Sequence, residues 1–553
     1  MRVPAQTLPW RVSLSMVASI FAVAFSSAQQ TPQHQVAARR MEHRGTERVW
    51  SDWQDYPVRT IQDLTLPRKA IRRDRFGGRL DRSAVKTGFF YTRKISGRWW
   101  FIDPDGQLFL NAGVASVTPG ESPKTRAALS QTFGTTQVWM KKAEQQLIEN
   151  GFNGTGAWSN IDLLRASSAQ SRPPLTYTIN LDIMGAYGAK HGGTHQVPGH
   201  KAYPEDTIFA FDPAFEKFAD EYVAQKTASY HDDPNLLGYF SDNEIPLLLT
   251  NLDGFLRLPE TDAGRQAADQ WMKDHHANVP TDELRSAFLG SEAGRYFRIV
   301  ASVIHKHDPH HIYLGCRFYG QQLRDPELFR EIGKYADAVS INIYGVWQPE
   351  AAATTMWEHE AGKPFLVTEF YAKAEDSGMA NRTGAGWLVH TQNDRGLFYQ
   401  NFVLALIESR ACVGWHWFKY QDNDPDDPNA EPSNVDSNKG IVNRFYQPYS
   451  PLLARMRELN LRMYELADLF DSSAELQNSA HHVDSSHGDD TSTGLNPNAA
   501  WWSLNRVCCG AYRLSDDPCH FWVVKRFTLE RFRVIPKTFV KAKDADVIRW
   551  PRV

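Results

Sequence analysis

Short apolar runs alternate with longer stretches of mixed polarity through most of the chain. The runs occupy 108–114, 152–158, 175–181, 236–241, 312–316, 338–344, 364–370 and 413–418. Each has the length and the aromatic or β-branched content of a buried strand. Helical stretches lie between most of them, at 136–150, 213–230, 291–305 and 394–409. In the first of these Trp139, Ala143 and Leu147 recur every four residues, the spacing of one helix face. Eight strands, each followed by a helix, predict an α/β chain folded as a (β/α)8 TIM barrel. Such barrels carry their active sites at the C-terminal ends of the strands.

Two of the runs end in carboxylates. The sequence L-L-G-Y-F-S stops at Asp242, Asn243 and Glu244, and Pro246 then blocks ordinary strand continuation. The run P-F-L-V-T-E closes on Glu369. Counted along the barrel, Glu244 ends strand four and Glu369 ends strand seven, on opposite sides of one mouth. Cleavage of a glycosidic bond by retention needs one carboxyl to protonate the leaving oxygen and a second to attack, about 5–5.5 Å away. Asp242 is read as a stabiliser of the loop. Arg317, Glu375 and Asp376 are candidates to line subsites. Trp415 and Trp417 are two apart in the eighth run, so a regular strand puts both on one face and His416 on the other. The Trp pair is expected to face the cleft unless a bulge intervenes.

The remaining regions change the picture less. Residues 88–102 hold aromatic strands, and Asp103-Pro104-Asp105-Gly106 is turn chemistry. The stretches 247–282 and 185–203 read as long loops shaping the cleft. His191, His195 and His200 in the second are irregularly spaced and lack paired carboxylates, so no metal site is predicted. The domain reading is a signal peptide at 1–28, an N-terminal extension at 29–85, the barrel at 86–470, a disordered linker at 471–498 and a C-terminal segment at 499–553. The start has Arg2 and Arg11 before an apolar run and small residues at Ser26, Ser27 and Ala28, the form of a secretory leader.

Apolar residues make up 42% and the net charge is −3, which gives no support to nucleic-acid binding. The 17 Trp lean toward carbohydrate, because indoles stack on the apolar faces of sugars as well as filling cores. Cysteines are five, an odd number; Cys316 and Cys412 lie in apolar runs and read as buried thiols, and adjacent Cys508 and Cys509 are no zinc motif.

D-N-E after G-Y-F-S, together with V-T-E-F at 367–370, resembles the clan A retaining glycoside hydrolases. The resemblance implies that Glu244 is the acid/base, that Glu369 is the nucleophile and that Asn243 bonds the sugar 2-hydroxyl. It also matches Tyr344, at the end of S-I-N-I-Y, to the aromatic partner of the nucleophile, and Trp415 and Trp417 to a sugar-stacking position with His416 between them. A narrower resemblance is to the β-agarases of glycoside hydrolase family 50. It covers about 99–470 and rests on F-I-D-P-D-G-Q-L-F at 101–109, G-F-N at 151–153, L-G-Y-F-S-D-N-E at 237–244 and W-H-W-F-K-Y at 415–420. The region before Trp99 is short for the large β-sandwich of well-known members, and strand two lacks the Arg of many clan A enzymes.

The expectation is a secreted or periplasmic retaining hydrolase cleaving β-1,4 bonds of agarose or a related galactan. Its partner is a polysaccharide or oligosaccharide substrate, with no nucleic acid, no stable membrane insertion after signal cleavage, and no metal or organic cofactor. The alternatives are another β-glycan (porphyran, carrageenan or mannan) or a non-catalytic carbohydrate-binding barrel.

Overall fold

A computed structural model of the chain describes residues 34–44, 47–168, 175–478, 481–483, 519–525 and 528–534. The expected signal peptide and most of the segment beyond 478, with Cys508 and Cys509, lie outside the described residues.

Eight parallel strands form one sheet in chain order: Asn111–Val114, Gly154–Thr155, Thr176–Asn180, Leu236–Phe240, Ile312–Tyr313, Val339–Asn342, Phe365–Phe370 and Cys412–Trp417. We number these barrel strands one to eight. Strand eight pairs with strand one. The seam between strands five and six is closed by a parallel bridge from Phe318 to Ile341, with Phe318 N–H donating to Ser340 O at 2.9 Å and Asn342 N–H to Phe318 O at 2.8 Å. The sheet is therefore a closed barrel, the α/β fold expected from the run pattern. Strand five is shorter than its apolar run because Gly315 turns out of the sheet at φ +83°.

The barrel separates two apolar layers. Its interior is filled by Leu237, Phe240, Leu314, Leu366 and Val413, and is plugged from the strand N-termini by Phe90, Phe101 and Phe109. Phe101 and Phe109 come from a small antiparallel sheet that contains the sequence-predicted hairpin around Asp103–Gly106. The outward faces of the strands pack on the helices, among them Thr136–Glu149, Phe215–Thr227, Asp282–His307 and Gln392–Glu408. Thr136–Glu149 and Gln392–Glu408 match their periodic stretches to within about two residues. Phe215–Thr227 is shorter at both ends, and Asp282–His307 starts well before its stretch, where Thr281 Oγ1 caps it by accepting from Leu284 N.

Two stretches expected as loops carry structure. The segment after strand four contains helices Asn251–Phe255 and Ala263–Asp274, the second capped by Asp262, which accepts from Gly264 N and Arg265 N. They hold their own small core of Leu252, Phe255, Ala268, Met272 and Phe288. The stretch after strand three folds as helix Ile183–His191 and a hairpin, His195–Val197 with His200–Ala202. In the N-terminal extension, strand His34–Arg39 lies between Gln54–Val58 and Trp387–Val389, which places that extension on the loop after strand seven. Val36, Ala38 and Val58 anchor it, an alternation too short to stand out in sequence. The closing helix Met463–Asn478 crosses position 471, where the linker was expected to begin.

Candidate active site

The end of strand four is built to present Glu244. Asp242 is fully buried and accepts from Met184 N at 2.9 Å, Gly185 N at 3.2 Å and the Tyr296 hydroxyl, so its side chain pins the chain as it leaves the sheet. Glu244 then sits at φ +53°, a left-handed conformation uncommon for a side chain that is not Gly, Asn or Asp. Its N–H donates to Cys316 O, just past the end of the neighbouring strand five, at 3.2 Å. Trp158 at φ +66° and Arg317 at φ +60° share this conformation. Three such residues around one cleft mark a backbone held in place by its surroundings.

Glu369 arrives from the opposite side through a skip in register. Ile341 pairs with Val367 but Asn342 with Glu369, so Thr368 is an extra residue and the side-chain alternation flips. Three donors converge on the carboxylate. Oε1 accepts from Arg317 Nη2 and from Trp158 Nε1 at 3.2 Å, and Oε2 accepts from the Tyr344 hydroxyl. Arg317 is fully buried, with its guanidinium 5.5 Å from the Trp158 ring centre and 5.2 Å from that of Phe240.

Asn342 links the two acids. Its Nδ2 donates to Glu244 Oε1 at 2.7 Å and to Asn243 Oδ1 at 3.3 Å. Its Oδ1 accepts from Thr368 Oγ1 at 2.7 Å and Arg317 Nη2 at 3.4 Å. Burial, and next the negative charge of Glu369, push the Glu244 carboxyl up to about 7, so it holds a proton near neutrality. The arrangement pairs a proton-bearing carboxyl with a carboxylate that accepts from three donors.

Of the residues singled out in the sequence, Glu244, Glu369, Asn243 and Tyr344 gather in this cleft, and Arg317 joins them. Trp415 and Trp417 do not. Phe365 pairs with Cys412 but Leu366 with Gly414, so strand eight bulges at Val413 and both indoles turn outward. Trp415 Nε1 donates to the Tyr399 hydroxyl at 2.9 Å and Trp417 Nε1 to Lys439 O at 2.8 Å; both are fully buried against the helix layer. The expected sugar-stacking role is corrected for both, since neither ring has a free face.

His416 takes the inward direction but is buried too. It fits between Gly113 and Gly156, where a Cβ would come within 2.7 Å and 2.8 Å of its ring, and its Nε2 meets Asn111 Oδ1 at 2.6 Å. Burial, then the Arg317 charge, push its pKa down to about 3, so the ring is a neutral floor beneath the site and not a direct sugar contact. Glu375 and Asp376 are engaged elsewhere, the first with Arg39 and His390 and the second with Gln392.

The sequence reading missed Trp158 and Asn342 as site residues. Trp158 is 46% exposed, an open indole beside Glu369. Its place at the end of the second apolar run was its only signal. Asn342 lay unremarked inside S-I-N-I-Y.

No family model matches the chain. Among curated proteins it is 22% identical to β-agarase B of Vibrio sp. (strain JT0107) over 490 residues, 71% of this chain and 50% of that protein. It is 29% identical to β-agarase A of the same strain over 501 residues, 71% of this chain and 48% of that protein. The chain thus spans about half the length of the curated relatives it matches. Among solved structures, that of BpGH50 superposes with a TM-score of 0.69 at 27% identity, covering 79% of this chain and 96% of the other.

The chain is similar to the family 50 β-agarases.

The structure of an exo-β-agarase shares the fold with a TM-score of 0.57 at 22% identity, over 71% of this chain and 68% of the other. The family resemblance read from the sequence motifs therefore stands.

Proposed function

We propose that the protein is a retaining β-glycoside hydrolase that cleaves β-1,4 bonds of agarose or a related galactan. The observation that carries this reading is the shared environment of Glu244 and Glu369, bridged by Asn342 and Arg317 at the mouth of one barrel. Glu369 attacks the anomeric carbon while Glu244 donates its proton to the departing oxygen; Glu244 then takes a proton from the water that opens the glycosyl ester. Arg317, Tyr344 and Trp158 orient the Glu369 oxygens for attack. As the ester forms, the negative charge beside Glu244 disappears, so the same carboxyl becomes a stronger acid and is ready to act as base.

Two relatives named β-agarase and a fold shared with an exo-β-agarase support agarose as the polymer. The exposed Trp158 ring beside the nucleophile supports a sugar ligand, because a pyranose can lie on its face. In this reading residues 1–28 direct secretion or periplasmic export and are removed.

The deciding experiment is agarose and agaro-oligosaccharide turnover by Glu369→Ala with and without azide. Loss of turnover, with a glycosyl azide product when azide is present, is the expected result. Wild-type turnover by that variant removes Glu369 as nucleophile.

A further inference from the structure

Beside the two acids stands a lysine amino group, that of Lys439, to which no described residue hydrogen-bonds. Lys439 is 4% exposed, and its Nζ lies 4.6 Å from the centre of the Tyr371 ring and 5.1 Å from that of Phe418. Both rings adjoin the catalytic cleft. Tyr371 packs on Tyr344 with centres 5.2 Å apart, and Tyr344 bonds Glu369; half-buried Phe418 follows strand eight directly. The Lys439 backbone is fixed, its N–H on Asp422 Oδ1 at 2.8 Å and its carbonyl on Trp417 Nε1 at 2.8 Å. The Tyr371 hydroxyl is also buried without a partner.

The charges around Lys439 are engaged with other groups. Lys419 donates to Asn423, and Lys373 donates to the carbonyls of Asn381, Thr383 and Gly384 at 3.0–3.2 Å. Glu369 is held by Arg317 and Tyr344, Glu431 by Ser433 and Asn434, and Asp436 by Thr383. Exposed Arg48 adds positive charge on the Tyr371 side. A buried amine with neither a hydrogen bond nor a carboxylate contact resists protonation until a counter-charge reaches it. Burial, and then the charge of Lys419, hold Lys439 well below the ordinary lysine range against the opposing pull of Glu369. An incoming anion would restore the ammonium.

We propose that Lys439 and the Tyr371 hydroxyl form a subsite for an anionic substituent on the substrate, a sulfate ester on the galactan unit bound beside Glu369. The inference rests on the hydrolase reading and narrows it from galactans in general to sulfated ones. A sulfate ester offers three acceptor oxygens, enough for both donors at once, and its charge pairs with a compact ammonium. A neutral hydroxyl could accept from either donor but would bring no charge to hold Lys439 protonated.

The test uses the purified full chain, a sulfated galactan and the same polymer after chemical desulfation. Wild-type kcat/KM is expected to favour the sulfated polymer at least tenfold. In Lys439→Met that ratio falls toward one, chiefly through KM on the sulfated polymer, and in Lys439→Arg part of it returns. Tyr371→Phe, which removes only the hydroxyl, lowers the ratio several-fold and covers the case in which Lys439→Met does not fold. A wild type that favours the desulfated polymer, or variants that lose equally on both, overturns the subsite and leaves the hydrolase reading intact. A folded wild type that cleaves neither polymer overturns both.

Discussion

Asn342 donates to Glu244 Oε1 at 2.7 Å, and the orientation of its amide is set by the Thr368 hydroxyl donating to Oδ1 at 2.7 Å. A residue of strand six thus aims the acid of strand four by a bond to the residue next to the nucleophile of strand seven. Replacing it tests whether the two acids work as a unit. Asn342→Ala is expected to lower kcat by roughly 100-fold, the low end of what a positioned general acid contributes. The lost hydrogen bonds should reduce stability by only about 1–3 kcal/mol. Steady-state kinetics beside a denaturant titration separate the two effects.

Glu244 supplies a pH signature. Its carboxyl is pushed up to about 7 by burial and then by Glu369, and it must be protonated to act as acid. kcat/KM should therefore fall as pH rises through about 7. In Glu369→Gln the charge part of that shift is gone and the burial part remains. Glu244 in that variant should titrate lower than in the wild type, still above an ordinary Glu, as read by carbon NMR of labelled carboxyls. An unmoved Glu244 titration would mean that the two carboxyls do not sense each other.

The three tryptophans separate cleft from core. Trp158→Ala removes an exposed ring and a 3.2 Å bond to Glu369, so KM should rise and kcat fall while the melting temperature stays close to wild type. Trp415→Ala and Trp417→Ala each empty a fully buried site and should destabilise the fold by roughly 3–5 kcal/mol. Trp417→Phe, tested on oligosaccharides, should leave KM nearly unchanged. A large KM rise there would return Trp417 to the cleft.

Arg317 is buried and bonded to Glu369, with its Nε and Nη1 lacking described partners. Arg317→Met leaves the nucleophile without its cation. Breaking a buried pair from one side is unfavourable by roughly 3–5 kcal/mol. Melting temperature should drop clearly, and kcat should drop with it even at temperatures where the variant is fully folded.

Glu292 lies outside the cleft and is fully buried, accepting from Asn251 Nδ2 at 3.0 Å and 3.1 Å. Burial pushes its carboxyl up to about 8. The folded state therefore keeps a proton that the unfolded chain releases at an ordinary Glu pKa near 4.3. Its contribution to stability is full below that value and is lost as pH rises toward about 8. Glu292→Gln has no such proton, so the variant's melting temperature should gain on the wild type between about pH 5 and 8. A constant difference across that range would contradict the raised carboxyl.

Much of the molecule was written in the order of its residues. The eight apolar runs became the eight barrel strands because a strand buried on both faces has to be apolar almost throughout, and that pattern survives any tertiary context. Glu244 and Glu369 could be found because a carboxylate ending such a run has only the barrel mouth to enter, whereas Tyr344 was matched through the family resemblance. Arg317, directly after the fifth run, was legible only as a candidate to line a subsite, and Asn342, inside the sixth run, carried no mark; the roles of both depend on groups that lie far away in sequence.

Tertiary packing alone decided which way the side chains turn. One extra residue at Thr368 brings Glu369 into the cleft, and another at Val413 sends Trp415 and Trp417 out of it. Side-chain alternation has a period of two, so a single bulge inverts everything downstream, and a bulge is set by how neighbouring strands pair. The composition of a strand can therefore announce that an aromatic or an acid will be near the barrel mouth, whereas its facing belongs to the register between strands.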